Sequence, residues 1–159
     1  MATDIQNRIV IYVDADACPN AIKELIFRAA IRREIVAVVV ANQTIAVPQS
    51  PWVKRVTVRD GADQADHWIA ENTAASDVVI TDDIPLAARV IEKEAMAISS
   101  RGDLYDEKNI HSRLASRDLM EQLRLSGMEL TGPKPHTSKD AQRFANQLDR
   151  TLTKLSRSA

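Results

Sequence analysis

The sequence predicts an α/β protein of three layers, in which helices cover both faces of a mostly parallel five-stranded sheet. Short runs rich in Val and Ile alternate through residues 1–100 with amphipathic stretches, and this alternation is typical of βαβ units. The run at 35–40 is apolar throughout, as is usual for a strand that is buried on both faces.

Local signals define each element of this core. Pro19 and Pro85 stand where proline favours the first turn of a helix. Between them, Gly61 marks the turn before another helix. Apolar residues recur at helical spacing after each of these positions. The predicted order is strand 10–13, helix 19–33, strand 35–40, strand 53–58, a helix ending near 72, strand 77–81, a helix from 85, and strand 95–98.

The chain changes character after about residue 100. Residues 1–100 carry 10 basic and 14 acidic groups, whereas residues 101–159 carry 11 and 8. Two helices are predicted in the second part, one over 107–125 that carries Ile110, Leu114, Leu119 and Leu123, and one over 138–156 with its apolar residues on one stripe. We therefore expect one domain over 1–159, in which a core (1–100) carries a helical extension (101–159) that packs on it.

Composition excludes several classes of protein. The chain has 159 residues, is 45% hydrophobic and has no apolar run longer than seven residues, so we expect neither disorder nor a membrane span. A single cysteine leaves no disulfide and no multi-cysteine zinc site, which favours a cytoplasmic location. The net charge of -1 argues against coating of nucleic acid by bulk charge, but not against a local basic patch.

The chain has 14 aspartates but only 8 glutamates, although helix surfaces favour Glu and Asp favours caps, turns and metal sites. Carboxyl ends of parallel strands meet at one edge of a sheet, and in the order 3-2-1-4-5 the first and fourth strands are neighbours there. The aspartates expected to converge at this edge, or to reach it from the helix after the third strand, are Asp14, Asp16, Asp63, Asp66, Asp82 and Asp83.

Carboxylates gathered in this way repel one another. Two of them about 5 Å apart repel by roughly 3 kcal/mol at an effective dielectric of about 20, and few lysines or arginines lie in these segments. A bound cation offsets the repulsion most simply, and oxygen ligands without paired Cys or His suit Mg²⁺ or Mn²⁺. In the simpler interpretation, Asp16 and Asp83 are only the N-caps of the helices that follow them.

Five segments carry a more specific signal. They are Val13-Asp-Ala-Asp-Ala-Cys-Pro19, Gly61-Ala-Asp63-Gln-Ala-Asp66, Thr81-Asp-Asp83-Ile-Pro-Leu-Ala87, Arg101-Gly-Asp-Leu-Tyr105 and Arg113-Leu-Ala-Ser-Arg117-Asp-Leu-Met120. In this order they resemble the signature segments of the bacterial YaiI/YqxD family, whose fold is similar to that of the PIN-like nucleases.

The resemblance implies a magnesium- or manganese-dependent nuclease that cuts RNA or DNA. By position, Asp14 matches the first-strand acid of PIN-like nucleases, Asp63 or Asp66 the middle acid, and Asp83 the fourth-strand acid. Asp16 belongs to the motif of the family itself. We therefore expect catalysis by Asp14, Asp16 and Asp83, and metal binding by these three together with Asp63 and Asp66.

Basic residues of the extension predict contacts with nucleic acid, RNA in preference to DNA. Arg113, Arg117 and Arg124 project within about 40° of one another on an ideal helix, and with Arg101 they form a candidate phosphate-contacting stripe. A solvated helix face balanced by neighbouring acids is the simpler interpretation. A homodimer is left open.

Four further residues are assigned supporting roles. Thr81 and Asn42 end strands at the same edge of the sheet and are expected to position a phosphate or a water. Asp82 ranks below Asp83 because the family motif leaves its position open. Cys18 begins a helix, whose dipole lowers a thiol pKa and favours nucleophilic chemistry, and a small packed residue is the alternative.

Two other functions compete with the nuclease. In a phosphatase of the haloacid-dehalogenase kind, Asp14 would be the nucleophile and Asp16 the acid/base, but the helix that starts at Pro19 leaves no room for the usual insert. A non-catalytic module that binds metal and nucleic acid would keep the acids without turnover.

Overall fold

The computed structural model describes residues 9–61, 63–132 and 134–157. The strands in these residues are β1 (Val10–Asp14), β2 (Val36–Ala41), β3 (Val53–Thr57), β4 (Val78–Ile80), β5 (Met96–Ile98) and β6 (Leu104–Tyr105). The helices are α1 (Asn20–Arg33), α2 (Gln64–Asn72), α3 (Ile84–Glu92), α4 (Ile110–Leu125) and α5 (Ser138–Arg157).

All six strands belong to one sheet with the order β3-β2-β1-β4-β5-β6. The pairs among β1 to β5 are parallel, which confirms the predicted order 3-2-1-4-5. The sequence prediction did not include β6, which is two residues long and pairs antiparallel with β5. So short a strand leaves no periodic signal to detect.

Helices cover both faces of the sheet, because successive side chains of a strand point to opposite sides. Ile11 and Val13 of β1 pack in one core with α1 and α5, whereas Tyr12 packs in the other with α2, α3 and the start of α4. The three-layer α/β/α architecture predicted from the sequence is therefore confirmed.

The C-terminal helix α5 is an integral part of the first core. Phe144, Leu148 and Leu152 are almost completely buried, and each contributes about 1.5–3 kcal/mol by leaving water. Its start is fixed by a capping box, in which Thr137 Oγ1 accepts from the Asp140 N–H at 3.2 Å and the Asp140 carboxylate accepts from the Thr137 N–H at 3.0 Å.

Helix α4 is much less buried than α5. Ile110 is its one buried residue, and Leu119 is 55% exposed. The start of α4 packs against the second core beside α3. Within the described residues, no other helix or strand buries the second half of α4.

The loop 99–103 joins the N-terminus of α5 to the end of β5. Arg101 forms an ion pair with Asp140 at 2.7 Å, and Arg143 forms one with Asp103 at 3.2 Å. Gly102 has a φ of 90°, and a Cβ at this position would lie 2.7 Å from the carbonyl carbon of Arg143. Loop and helix are therefore in direct backbone contact, with no space for a side chain between them.

We expect Gly102→Ala to lower the free energy of unfolding by about 1–3 kcal/mol more than Gly127→Ala does. Both glycines have a φ near 90°, but a Cβ at Gly127 would meet no atom within 4 Å. Urea denaturation of the two variants therefore separates the steric clash from the backbone strain that both share. Equal losses of stability would contradict the tight contact between the loop and α5.

Candidate functional site

A single hydroxyl group links the two acidic strand ends. β1 pairs with β4 so that Val13 lies opposite Ile80, which places Asp14 beside Thr81. Thr81 Oγ1 donates to Asp14 Oδ2 at 2.9 Å and accepts from the Asp83 N–H at 3.0 Å. Thr81 is only 3% exposed, so its one proton is committed to Asp14. The predicted supporting residue Thr81 thus orients the carboxylate of Asp14.

The carboxyl group of Asp66 lies beside that of Asp83 at the acidic edge. Two neighbouring carboxyl groups form a hydrogen bond only when one of them holds a proton. Burial raises the pKa of Asp66 to about 7, and the hydrogen bond to Asp83 and the charges of Asp83, Asp14 and Asp63 act in the same direction. Asp83 also caps α3, because its Oδ1 accepts from the Leu86 N–H at 3.0 Å. The N-cap interpretation of Asp83 is therefore right but incomplete.

The carboxyl group of Asp14 lies in the same electrostatic environment. Its pKa is raised, first by burial and then by the charges of Asp83, Asp16 and Asp82, while the hydrogen bond from Thr81 opposes the increase. None of the ion pairs formed among the described residues involves any of the six aspartates expected at this edge. Among the described residues, no ion pair with a base therefore offsets the mutual repulsion of these carboxylates.

Two of the predicted aspartates hold loops in place. Both carboxylate oxygens of Asp16 accept from the Asn42 N–H at 3.1 Å, which ties the end of β1 to the end of β2. Asp16 is not the N-cap of α1, since Pro19 occupies that position. Asp82 accepts from the Ser100 N–H at 2.8 Å and from Ser100 Oγ at 2.7 Å. Asp82 thus ties the end of β4 to the loop 99–103.

Asp63 is placed at the start of α2 but does not cap it. It occupies the N-cap position with a φ of 66° and makes no side-chain cap hydrogen bond. Asp is one of the few residues that tolerate this left-handed conformation. The exposed carboxylate of Asp63 is consequently left to the acidic cluster, where its charge contributes to the raised pKa of Asp66.

Asp14 lines two hollows at this edge of the sheet. The first, which we call the Thr81 hollow, has a volume of about 300 Å³ and is lined by Asp14, Ala17, Cys18, Ile80, Thr81, Asp82, Asp83 and Ser100. The second, the Asn42 hollow, has a volume of about 200 Å³ and is lined by Asp14, Asp16, Asn42, Gly61, Asp63, Gln64, Ala65 and Asp66. The predicted acids therefore do converge, on both sides of Asp14.

The donors in this cluster fit a hard divalent cation. Among the described residues no three His, Cys, Asp or Glu side chains are arranged as a ready coordination shell. Mg²⁺, however, is usually held by one or two carboxylates together with waters and substrate phosphates, and not by an all-protein cage. Asp14, Asp66 and Asp83 are the side chains at this edge that could hold an ion in that way.

The structure does not support a nucleophilic Cys18. Burial raises the pKa of its thiol to about 12, with the charges of Asp82 and Asp14 acting in the same direction and that of Lys23 opposing them. The start of α1 does not overcome this desolvation. The alternative of a small packed residue fits, since Cys18 packs against the first core.

The four arginines of the predicted phosphate stripe have different surroundings. The Arg101 guanidinium is held by Asp140 and by the Lys134 carbonyl, and that of Arg117 pairs with Asp118 and Glu121 at 3.4 and 3.2 Å. Arg113 lies over the ring of Tyr105 at 5.8 Å. Arg124 is exposed near the end of α4. The simpler interpretation of a solvated, internally paired helix face thus accounts for Arg117.

One residue that shapes the site was not predicted from the sequence. Ser100 donates hydrogen bonds to both carboxylate oxygens of Asp82. Its carbonyl oxygen accepts a hydrogen bond from Nε2 of His136 at 2.9 Å. The signal available was the pair Ser99–Ser100 directly after the fifth strand, at the edge where the acids gather. It is a weak signal, because serines are common in loops.

Comparison with known proteins identifies the relatives of this chain. Residues 12–154 match the family described as "Uncharacterized BCR, YaiI/YqxD family". The chain belongs to the YaiI/YqxD family. A UPF0178 protein of Shewanella amazonensis is 52% identical over 145 residues, which cover 91% of this chain and 97% of the relative. One of Marinomonas sp. (strain MWYL1) is 52% identical over 142 residues, which cover 89% and 95%.

The resemblance drawn from the sequence motifs is thereby confirmed at the level of the YaiI/YqxD family. No solved structure matches the chain, and the PIN-like fold stays a prediction. In the part of the YaiI/YqxD chain that the structure describes, no helix is long and apolar enough to span a membrane.

The acidic pair predicts a pH dependence of stability in metal-free buffer. Asp66 keeps its proton up to about pH 7 in the folded protein, but in the unfolded chain it ionises with the ordinary aspartate pKa of 3.8. The contribution of Asp66 to stability is therefore greatest below about pH 4 and declines as the pH rises to 7. Urea denaturation from pH 4 to 8 measures this decline.

Asp66→Asn should remove that part of the decline. Asp118→Asn, which changes the same charge at an exposed position of α4, should leave it in place. If Asp66→Asn keeps the wild-type slope of stability against pH, Asp66 does not hold its proton near neutral pH.

Thr81→Val should weaken Mn²⁺ binding about 10–100-fold, as the loss of a group that orients a metal ligand typically does. Valine has nearly the shape of threonine but cannot donate to Asp14 Oδ2. Thr81→Ser retains the hydroxyl and should bind the ion nearly as the wild type does. Isothermal titration calorimetry measures both affinities, and equal affinities for Val and Ser would show that the hydroxyl does not position Asp14.

Proposed function

We propose that this protein is a Mg²⁺- or Mn²⁺-dependent nuclease that hydrolyses phosphodiester bonds, in RNA in preference to DNA. The observation that carries the proposal is the cluster of carboxylates at the carboxyl edge of the sheet, in which the pKa values of Asp14 and Asp66 are raised and no member has a basic ion-pair partner among the described residues. A polyanionic substrate reaches such a site only together with cations.

Asp14, Asp66 and Asp83 are the residues proposed to hold the ion. A divalent cation at such a site activates a water molecule and neutralises the charge that builds up on the phosphoryl oxygens. Asp63 lines the Asn42 hollow with Asp14 and Asp66, and it is proposed to complete the ligands from that side. Asp16 is retained as a candidate, although both of its oxygens already accept from Asn42.

The protein groups around these acids have separate tasks in this proposal. Thr81 keeps Oδ2 of Asp14 bound and leaves Oδ1 for a ligand. Asp66 must lose its proton before its carboxylate can accept a cation, so ion binding should strengthen as the pH rises through about 7. Ser100 holds Asp82 on the wall of the Thr81 hollow by two hydrogen bonds. There the Asp82 carboxylate adds negative charge to the lining of the hollow.

The phosphatase alternative gains no support from the lysine that comes after the fourth strand. Lys93 is the lysine that follows Asp82 and Asp83 along the chain, and its Nζ donates to the carbonyls of Ala70 and Glu71 at the end of α2. The non-catalytic module has the same acids and differs only in turnover.

A cytoplasmic location is proposed from the single cysteine.

The nuclease proposal predicts Mn²⁺-dependent cleavage of labelled single-stranded RNA that is lost in Asp14→Asn and Asp83→Asn. Removing a carboxylate that holds the ion takes away the group that neutralises transition-state charge, so we expect a loss of at least about 100-fold. Labelled DNA and structured RNA are assayed in parallel, and Asp118→Asn is the matched control because its carboxylate lies on α4.

Ion binding without cleavage of any of these substrates would favour the non-catalytic module. Phosphate release from a small phosphomonoester, with trapping of Asp14 by beryllium fluoride, would favour the phosphatase. Residual cleavage by Asp14→Asn at the wild-type rate would indicate a contaminating nuclease.

A further inference from the structure

The face of α5 that points away from the core carries a line of basic residues. Relative to Arg150, these residues lie within about 40° around the helix axis at 100° per residue, and all are exposed. They are Lys139, Arg143, Arg150, Lys154 and Arg157, and Asn146 fills the gap in the line. We call this set the α5 stripe. It extends over about 27 Å at 1.5 Å per residue.

The charge pattern of the α5 stripe is costly for an isolated helix. Lys139 with Arg143 and Arg150 with Lys154 are like-charge pairs four residues apart, and such pairs destabilise a helix by a few tenths of a kcal/mol each. The two aspartates of α5, Asp140 and Asp149, project about 80° or more away from Arg150. A helix face that only had to be solvated would gain by mixing both signs of charge.

The acids beside the α5 stripe are themselves neutralised. Asp149 is bound by Arg33 and lies 3.7 Å from Arg32, both at the end of α1. Asp140 is paired with Arg101. A shallow depression of about 560 Å³ on this surface is lined by Asn146, Asp149, Arg150, Thr153, Lys154 and Arg157. Positive charge therefore dominates the surface, although the whole chain has a net charge of -1.

The α5 stripe begins next to the candidate active site. Arg143 pairs with Asp103 in the loop 99–103, and Ser100 of that loop binds Asp82 on the wall of the Thr81 hollow. From there α5 runs beside α1, since Arg33 at the end of α1 reaches Asp149. A nucleic-acid strand that extends from the acidic edge can therefore follow the α5 stripe along the whole helix.

We propose that the α5 stripe binds the phosphate backbone of a single-stranded nucleic acid whose continuation lies at the acidic edge. This inference rests on the proposed function for the identity of the polyanion. A linear array of about 27 Å suits a polymer and exceeds the size of a small anion. An anionic membrane is disfavoured because the apolar face of α5, with Phe144, Leu148 and Leu152, is buried in the core and cannot enter lipid.

The test measures binding of a labelled single-stranded RNA in EDTA, so that no cleavage occurs, over about 50 to 200 mM salt. Each phosphate contact contributes about 0.7 to the slope of log affinity against log salt. Arg150→Gln with Arg157→Gln should therefore reduce the slope by about 1.4, and at 0.1 M salt it should weaken binding about 25-fold. A matched pair, Lys54→Gln with Lys108→Gln, removes the same charge at exposed positions outside the α5 stripe and should keep the wild-type slope.

Three outcomes would overturn the proposal. In the first, the RNA does not bind. In the second, both pairs change the slope equally, which would show only an effect of bulk charge. In the third, Arg113→Gln with Arg117→Gln on α4 reduces the slope while the α5 pair does not.

Binding of vesicles rich in anionic phospholipid that depends on the α5 stripe, with no RNA binding, would assign the surface to a membrane. Binding through the α5 stripe in a protein that never cleaves RNA with Mn²⁺ would leave this inference intact and refute the nuclease.

Discussion

The parallel pairing of β1 with β4 is the constraint on which the rest of this structure depends. It places Val13 opposite Ile80, so that the next residues along the two strands, Asp14 and Thr81, meet at the carboxyl edge of the sheet. The Thr81 hydroxyl then connects Asp14 to the Asp83 backbone. A change of one residue in this register would turn the side chains at the edge to the opposite face of the sheet, and the acidic cluster would no longer form.

The acidic cluster concentrates negative charge and thereby lowers the stability of the fold. Burial and neighbouring carboxylates raise the pKa values of Asp14 and Asp66, and a raised pKa of an acid means that its ionised form destabilises the fold. The two buried cores around the sheet offset that cost. Sites where local physical rules are broken, while the rest of the fold follows them, are where function is expected.

The loop 99–103 couples the acidic edge to the helical extension. Ser100 binds Asp82 through its backbone and side chain, while Arg101 and Asp103 bind the first turns of α5. Gly102 lets the two backbones touch. The extension is therefore part of the structure around the site and not an appendage, and the direction of α5 is set by the same loop that shapes the Thr81 hollow.

The sequence by itself determined the order of the elements, the parallel sheet and the edge at which the aspartates gather, because hydrophobic periodicity and strand-end position are local properties of the chain. It also contains Thr137 and Asp140 at the spacing of the capping box that starts α5. Only the tertiary structure decided which carboxylates touch. Asp16 and Asp82 bind backbone and hydroxyl donors from loops far along the chain, whereas Asp66 contacts Asp83. It also decided that burial raises the pKa of the Cys18 thiol and that Leu119 is exposed, because desolvation and helix coverage depend on neighbours that are distant in the sequence.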